Sequence, residues 1–237
     1  MSLPPPKREN LLLNLVCNIA VPTVVLTKLS TENRLGPMWG MVVALAFPLG
    51  YGIYDLVRRK KTNVFSIVGL CSVLLTGGLN YLRFDVFWFA VKEAAIPLLF
   101  GAAVLISNHT RRPLVREVLC NDQVLDIERI EAALAERGTR PAFDRLLNNA
   151  SFAVAGSFVF SAILNYGLAR YLLKSPVGTA EFNAQLGRMH VLNWPVIVLP
   201  SMAVTMLIFW RLMSGITHLT GLTLEGVMRS HEKKPSA

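Results

Sequence analysis

Lys92 and Glu93 stand side by side within an otherwise apolar stretch, "WFAVKEAAIPLLFG", residues 88–101. An ionisable group inside a membrane-spanning helix costs about 2.5–3.5 kcal/mol on insertion scales, so it must face protein or water. Neighbours on a helix point about 100° apart, so the two charges are expected to seek other partners rather than neutralise each other. Glu93 would then meet Arg170 or His190, and Lys92 would meet Asp85 or Asn165. A buried charge left without a partner favours its neutral form, which is the property a proton-coupled site uses. The alternative is structural: Lys92 snorkels to the interface while Glu93 forms a fixed pair.

Other polar residues fall at a similar depth. Asn80, Arg83 and Asp85 surround the third connection, Asn165 and Arg170 lie in the outer half of a fifth apolar run, and His190 and Asn193 open a sixth. Together with Lys92 and Glu93, all of these but Arg83 outline a candidate site for a small solute or a proton. A second, inner cluster joins Asn14 and Asn18 on one helical face with Asp55, near Tyr51 and Tyr54. Interhelical hydrogen bonding and an interfacial tyrosine belt explain that cluster equally well.

Other chemistry finds no support. The histidines are His109, His190, His218 and His231, with no pair four residues apart, so no zinc or haem site is expected and no cofactor is implied. No nucleophile–base signature, phosphate loop or dinucleotide fingerprint occurs, so the chain does not read as an enzyme. Cys17, Cys71 and Cys120 form no Cys-x-x-Cys motif and read as small apolar filler.

The elements that must position these residues are long. The 237 residues are 53% hydrophobic and 16% charged. The apolar residues gather in six blocks of about 18–25 residues, and about 20 suffice to cross a bilayer core. The blocks are 11–30, 37–57, 64–82, 86–107, 150–173 and 191–213. Backbone in lipid must satisfy its own hydrogen bonds, and no strand-like alternation is present, so the expected fold is an all-α, six-span membrane bundle forming one domain.

The net charge of +9 reads as a topology signal rather than a nucleic-acid footprint. With both termini cytoplasmic, 17 of the 24 Lys and Arg fall on the cytoplasmic side, including the run 58–61 and seven arginines between Arg111 and Arg145. The basic N-terminus with its long apolar run reads as a retained signal-anchor helix. The longest polar segment, 108–149, reads as an amphipathic linker of two helices. In "DIERIEAALAERG" a stripe of Ile127, Ile130 and Leu134 recurs at helical spacing, with Asp126 as cap and Gly138 as terminator. That linker is either a covered connector or a docking place for a protein partner. The outer loop 174–189 has room for a short helix. Ser151, Ala155, Gly156, Ser157 and Ser161, like Thr76-Gly77-Gly78, permit close helix packing, and Pro97, Pro195 and Pro200 are candidate breaks.

The stretches "FPLGYGIYDL", "LTGGLNYLRFDVFWFAVKEAAIPLLFGAAVL", "HTRRPLVRE" and "GRMHVLNWPVIVLPSM" resemble an uncharacterised family of bacterial inner-membrane proteins. Members are sometimes labelled major-facilitator-like, or similar to intracellular septation protein A. The septation family carries an Asp-x-x-Phe followed by Lys near the outer start of a span. Asp85, Trp88-Phe89 and Lys92 roughly fit that pattern, but the phenylalanine spacing differs and Glu93 stands where that family usually has proline. The resemblance implies a multi-pass protein of the bacterial plasma membrane and supplies no activity. Two functions follow from the residues. One is a small transporter or permease-like protein surrounded by membrane lipids. The other is a membrane scaffold for envelope or cell-division machinery that recruits partners through 108–149.

Overall fold

Long apolar runs close their backbone hydrogen bonds internally, and the chain is accordingly helical. The computed structural model describes residues 16–59, 64–110, 113–119 and 125–228. Nine helices are described here. Helix α1 covers 16–29, as π-helical Val16–Ala20 and Val25–Leu29 flanking α-helical Val21–Val24. Then come α2 (Gly36–Arg59), α3 (Val64–Tyr81), α4 (Val86–Ser107), α5 (Leu114–Leu119) and α6 (Ile127–Arg137). They are followed by α7 (Arg140–Leu172), α8 (Ala180–Thr220) and α9 (Leu224–Val227).

Four helical segments are long and apolar enough to cross a membrane: Gly36–Ile53, Val86–Ser107, Arg140–Leu172 and Ala180–Thr220. Val68–Tyr81 is apolar but shorter. Four of the six expected spans therefore have helices of spanning length. The other two correspond to 16–29 and to α3 among the described residues.

Two boundaries differ from the sequence reading. The fifth span was expected to begin at residue 150, but α7 begins at Arg140. Its first three turns, "RPAFDRLLNN", are amphipathic rather than apolar, and they bury Phe143 and Leu147. The sixth span was expected from residue 191, but α8 begins at Ala180. Thr179 caps it by accepting from the Phe182 N–H, and its polar first turns bury Phe182, Leu186 and Met189. Of the prolines, Pro97 is accommodated within α4, while Pro195 falls in a π-helical segment of α8, Trp194–Val198.

Contacts divide the chain into two compact units, Met1–Ile96 with Ile163–Val198 and Pro97–Ala162 with Leu199–Ala237. In the first unit, Leu26, Met41, Ala44, Phe89, Phe182 and Leu186 form the core. Phe89 meets Phe182 edge-on at 4.9 Å between ring centroids. Small residues permit the closest approaches. A Cβ on Gly187 would lie 2.7 Å from Thr27 Cγ2, and one on Gly40 would lie 2.8 Å from Ser30 Cα. Asn183, fully buried, donates from Nδ2 to the Pro37 carbonyl at 2.7 Å, tying α8 to the start of α2.

The second unit contains the linker. Asp126 caps α6 by accepting from the Arg129 N–H at 3.1 Å, and Gly138 ends it with left-handed backbone, φ 64°. Both features were legible in the sequence. Ile130 and Leu134 are buried with Leu212, Ile216 and Val227, so the linker's apolar stripe is covered by the chain itself. Thr139 Oγ1 donates to the Leu219 carbonyl at 3.0 Å, and the Asp126 N–H donates to the Val227 carbonyl at 3.0 Å. At the surface, Arg116 and Arg140 both pair with Glu131 and Asp144. Exposed pairs of this kind contribute about 0–1 kcal/mol each.

Candidate functional site

The first unit encloses a cavity of about 230 Å³. Lys92 and Glu93 of α4 line it, as do Asn165 of α7 and His190 and Asn193 of α8. Five of the eight residues expected at the outer polar site are thus brought together. The wall also takes Ser72 and Thr76 from α3, and Pro22 and Pro48 from α1 and α2. Pro48 has no N–H to give the Ala44 carbonyl, so α2 lacks one helical hydrogen bond where it borders the cavity. The π-helical turn of α8 contributes Ile197 to the same wall. Such turns disrupt regular helical pairing and recur at functional sites.

The buried ammonium of Lys92 has three acceptors. Its Nζ donates to Thr76 Oγ1 at 2.8 Å and to Ser72 Oγ at 3.4 Å, and it pairs with Glu93 Oε1 at 2.7 Å. An ammonium carries three N–H groups, so its donors are saturated. The Thr76 hydroxyl uses its own proton toward the Ser72 carbonyl at 2.9 Å, which leaves its oxygen free to accept from lysine.

Lys92 and Glu93 are therefore each other's partners, contrary to the expectation from adjacent helical positions. The 100° rule describes where Cβ points. Four methylenes let the lysine head swing back over its neighbour, and both charges escape lipid by facing the same cavity. The alternative partners are elsewhere. Asp85 is exposed, and its Oδ1 accepts from the Phe87 N–H at 2.7 Å, making it a cap for α4. Arg170 is exposed on α7 and does not line the cavity. Asn80 is buried on α3 with Nδ2 unpartnered among the described residues, and it too lies outside the cavity wall. Of the inner cluster, Asn14 lies outside the described residues, as do the side chains of Asn18 and Asp55.

Glu93 is the more accessible of the pair, with 22% of its side chain exposed against 7% for Lys92. A carboxylate has about four acceptor positions, so one lysine leaves it capacity for a further donor. His190 supplies a second open position. Its Nδ1 is buried without a hydrogen-bond partner among the described residues, and the charges of Glu93 and Lys92 both act on its ring. The site thus combines a saturated cation with a carboxylate and an imidazole that retain hydrogen-bonding capacity. It can take up a proton or hold a small polar solute. Among the described residues no group of His, Cys, Asp and Glu is placed to hold a metal ion.

Ser72 and Thr76 were missed in the sequence. The available signal was a pair of hydroxyls four residues apart, on one face of a helix next to the span that carries the charges. No family model matches the chain, nor does any curated protein or solved structure.

Proposed function

We propose that the chain is a small transporter or permease-like protein of the bacterial inner membrane, moving a small polar solute or a proton through the Lys92–Glu93 cavity. In this reading the chain crosses the membrane six times with both termini in the cytoplasm, following its Lys and Arg distribution. The observation that supports transport is the cavity itself. It has room for several waters or one small solute, and it holds the adjacent charges of α4. A solvent-free, purely structural pair would not need such a space.

Lys92 serves as a positioning residue that fixes the Glu93 carboxylate. Glu93 and His190 are the exchanging groups, and Asn165 and Asn193 are solute contacts. The rival scaffold reading requires the Ile127–Ile130–Leu134 stripe to be free for a partner, whereas Ile130 and Leu134 are buried. The test is reconstitution in liposomes, with wild type, Glu93→Gln and His190→Gln compared for proton flux and for uptake of small polar solutes. Wild-type flux well above empty liposomes, and lost in Glu93→Gln, is the expected result. Background flux in wild type and variants alike would refute transport.

A further inference from the structure

The second unit holds a larger groove, about 790 Å³, lined by one face of α7 and one face of α8. Its lining includes Arg145 from α7, Arg211 and His218 from α8, and no acidic side chain. The helices close together at one point, where a Cβ on Gly215 would stand 2.7 Å from Leu146 Cδ2. Among the described residues, neither arginine makes an ion pair or side-chain hydrogen bond. The nearest acid in sequence, Asp144, is engaged by Arg116 and Arg140 instead. Two arginines and a histidine therefore line one groove that has no acidic side chain in its wall.

Apart from Asn149 and Ser214, the rest of the lining is apolar. Ala153 and Ile208 line it on the side away from His218, with Trp210 beside them. Trp210 is 63% exposed, and Met206 and Leu207, also exposed, continue the apolar surface of α8. The groove thus carries cationic side chains and is continuous with exposed apolar side chains of α8. An anionic phospholipid has this polarity, with a phosphate headgroup above acyl chains. Arg is suited to bidentate phosphate contact, and basic pockets between membrane helices recognise such headgroups. A tryptophan at that level matches the preference of aromatic rings for the interface.

We propose that this groove is a binding site for an anionic phospholipid. Arg145 and Arg211 hold its phosphate, His218 adds a hydrogen bond, and an acyl chain lies along Ala153 and Ile208. The site is separate from the Lys92–Glu93 cavity and does not depend on transport.

The test uses the full chain in detergent, titrated with phosphatidylglycerol, phosphatidylcholine and inorganic phosphate. Binding is read by native mass spectrometry and thermal melting. Phosphatidylglycerol is expected to bind about tenfold tighter than phosphatidylcholine or more, and inorganic phosphate at the same concentration is not expected to displace it. The double variant R145Q/R211Q is expected to lose that preference. Ala153→Phe, which keeps both arginines and fills the apolar end, is expected to weaken phosphatidylglycerol as well. Equal affinity for the two lipids, displacement by inorganic phosphate, or an unchanged preference in R145Q/R211Q would overturn the proposal. Should R145Q/R211Q fail to fold, unchanged phosphatidylglycerol affinity in Ala153→Phe would overturn it equally.

Discussion

Lys92 Nζ and Glu93 Oε1 lie 2.7 Å apart, so two neighbours in sequence form the ion pair of the cavity. The pair is asymmetric. Lys92 is buried and saturated by Glu93, Thr76 and Ser72, while Glu93 is the member that reaches the open space. A charge pair in low dielectric is costly to assemble but costlier to halve, because the survivor keeps its desolvation penalty. The stability of this region should therefore depend on both members together.

Glu93→Gln leaves the Lys92 ammonium without its counter-charge, and a loss of about 1–3 kcal/mol is expected. Lys92→Met removes the cation but strands a partly solvated carboxylate, so a smaller loss is expected. The double variant Lys92→Met/Glu93→Gln should recover about 1–2 kcal/mol relative to the sum of the singles. Denaturant unfolding in detergent measures all three. Strict additivity would show that the two charges do not interact.

Thr76→Val keeps the side-chain shape and deletes the nearer of the lysine's two hydroxyl acceptors, at 2.8 Å. The expected cost is about 1–3 kcal/mol, because a buried charged donor loses one of its three partners. Ser72→Ala removes a contact at 3.4 Å, at the edge of hydrogen-bonding range, and should cost less. Comparing the two unfolding midpoints tests the order. A larger effect at Ser72 would mean that the ammonium sits closer to that hydroxyl.

The helices were legible because lipid-spanning runs are long and apolar, and the ionisable members of the site were legible because they break those runs. Lys92, Glu93, Asn165, His190 and Asn193 could be named from depth alone. The pairing could not, since spacing rules describe Cβ directions and not the reach of a lysine stem. Ser72 and Thr76 were hidden because hydroxyls are common in apolar helices, where they bond back to the preceding turn, as Thr76 itself does. The early starts of α7 and α8 were hidden for a different reason. Their first turns carry Arg140, Asp144 and Arg145, or Glu181, Gln185 and Arg188, and composition reads such turns as loop. A short helix within 174–189 was expected, but its continuity with the sixth span was not. Burial of Phe143, Leu147, Phe182 and Leu186 is what anchors these first turns.

Gly40 and Gly50 lie on the same helix and should respond oppositely to alanine. A Cβ at Gly40 would press on the Ser30 backbone, 2.8 Å from Cα, which has little freedom to move. Gly40→Ala should therefore destabilise by about 1–3 kcal/mol, as overpacking does. At Gly50 nothing lies within 4 Å of the added atom. Gly50→Ala should be neutral or stabilising by about 0.5–1 kcal/mol, through lower backbone entropy in the unfolded chain. Thermal melting of the two variants in one detergent checks the sign difference.

Leu134 separates a covered connector from a docking surface. Its side chain is fully buried in the core that holds Leu212, Ile216 and Val227. Leu134→Ala should cost about 2–5 kcal/mol, the usual range for a cavity left in a packed core. Gly221→Ala tests the same junction from the other side. Its backbone is left-handed at φ 69°, and an added Cβ would collide with the Arg137 guanidinium at the end of α6. Both variants should loosen the linker, and the measurement is hydrogen exchange of the α6 amides with unfolding in parallel. A partner-docking role for the stripe predicts the reverse for Leu134→Ala: unchanged stability and unchanged exchange, with the loss appearing only when a partner is added.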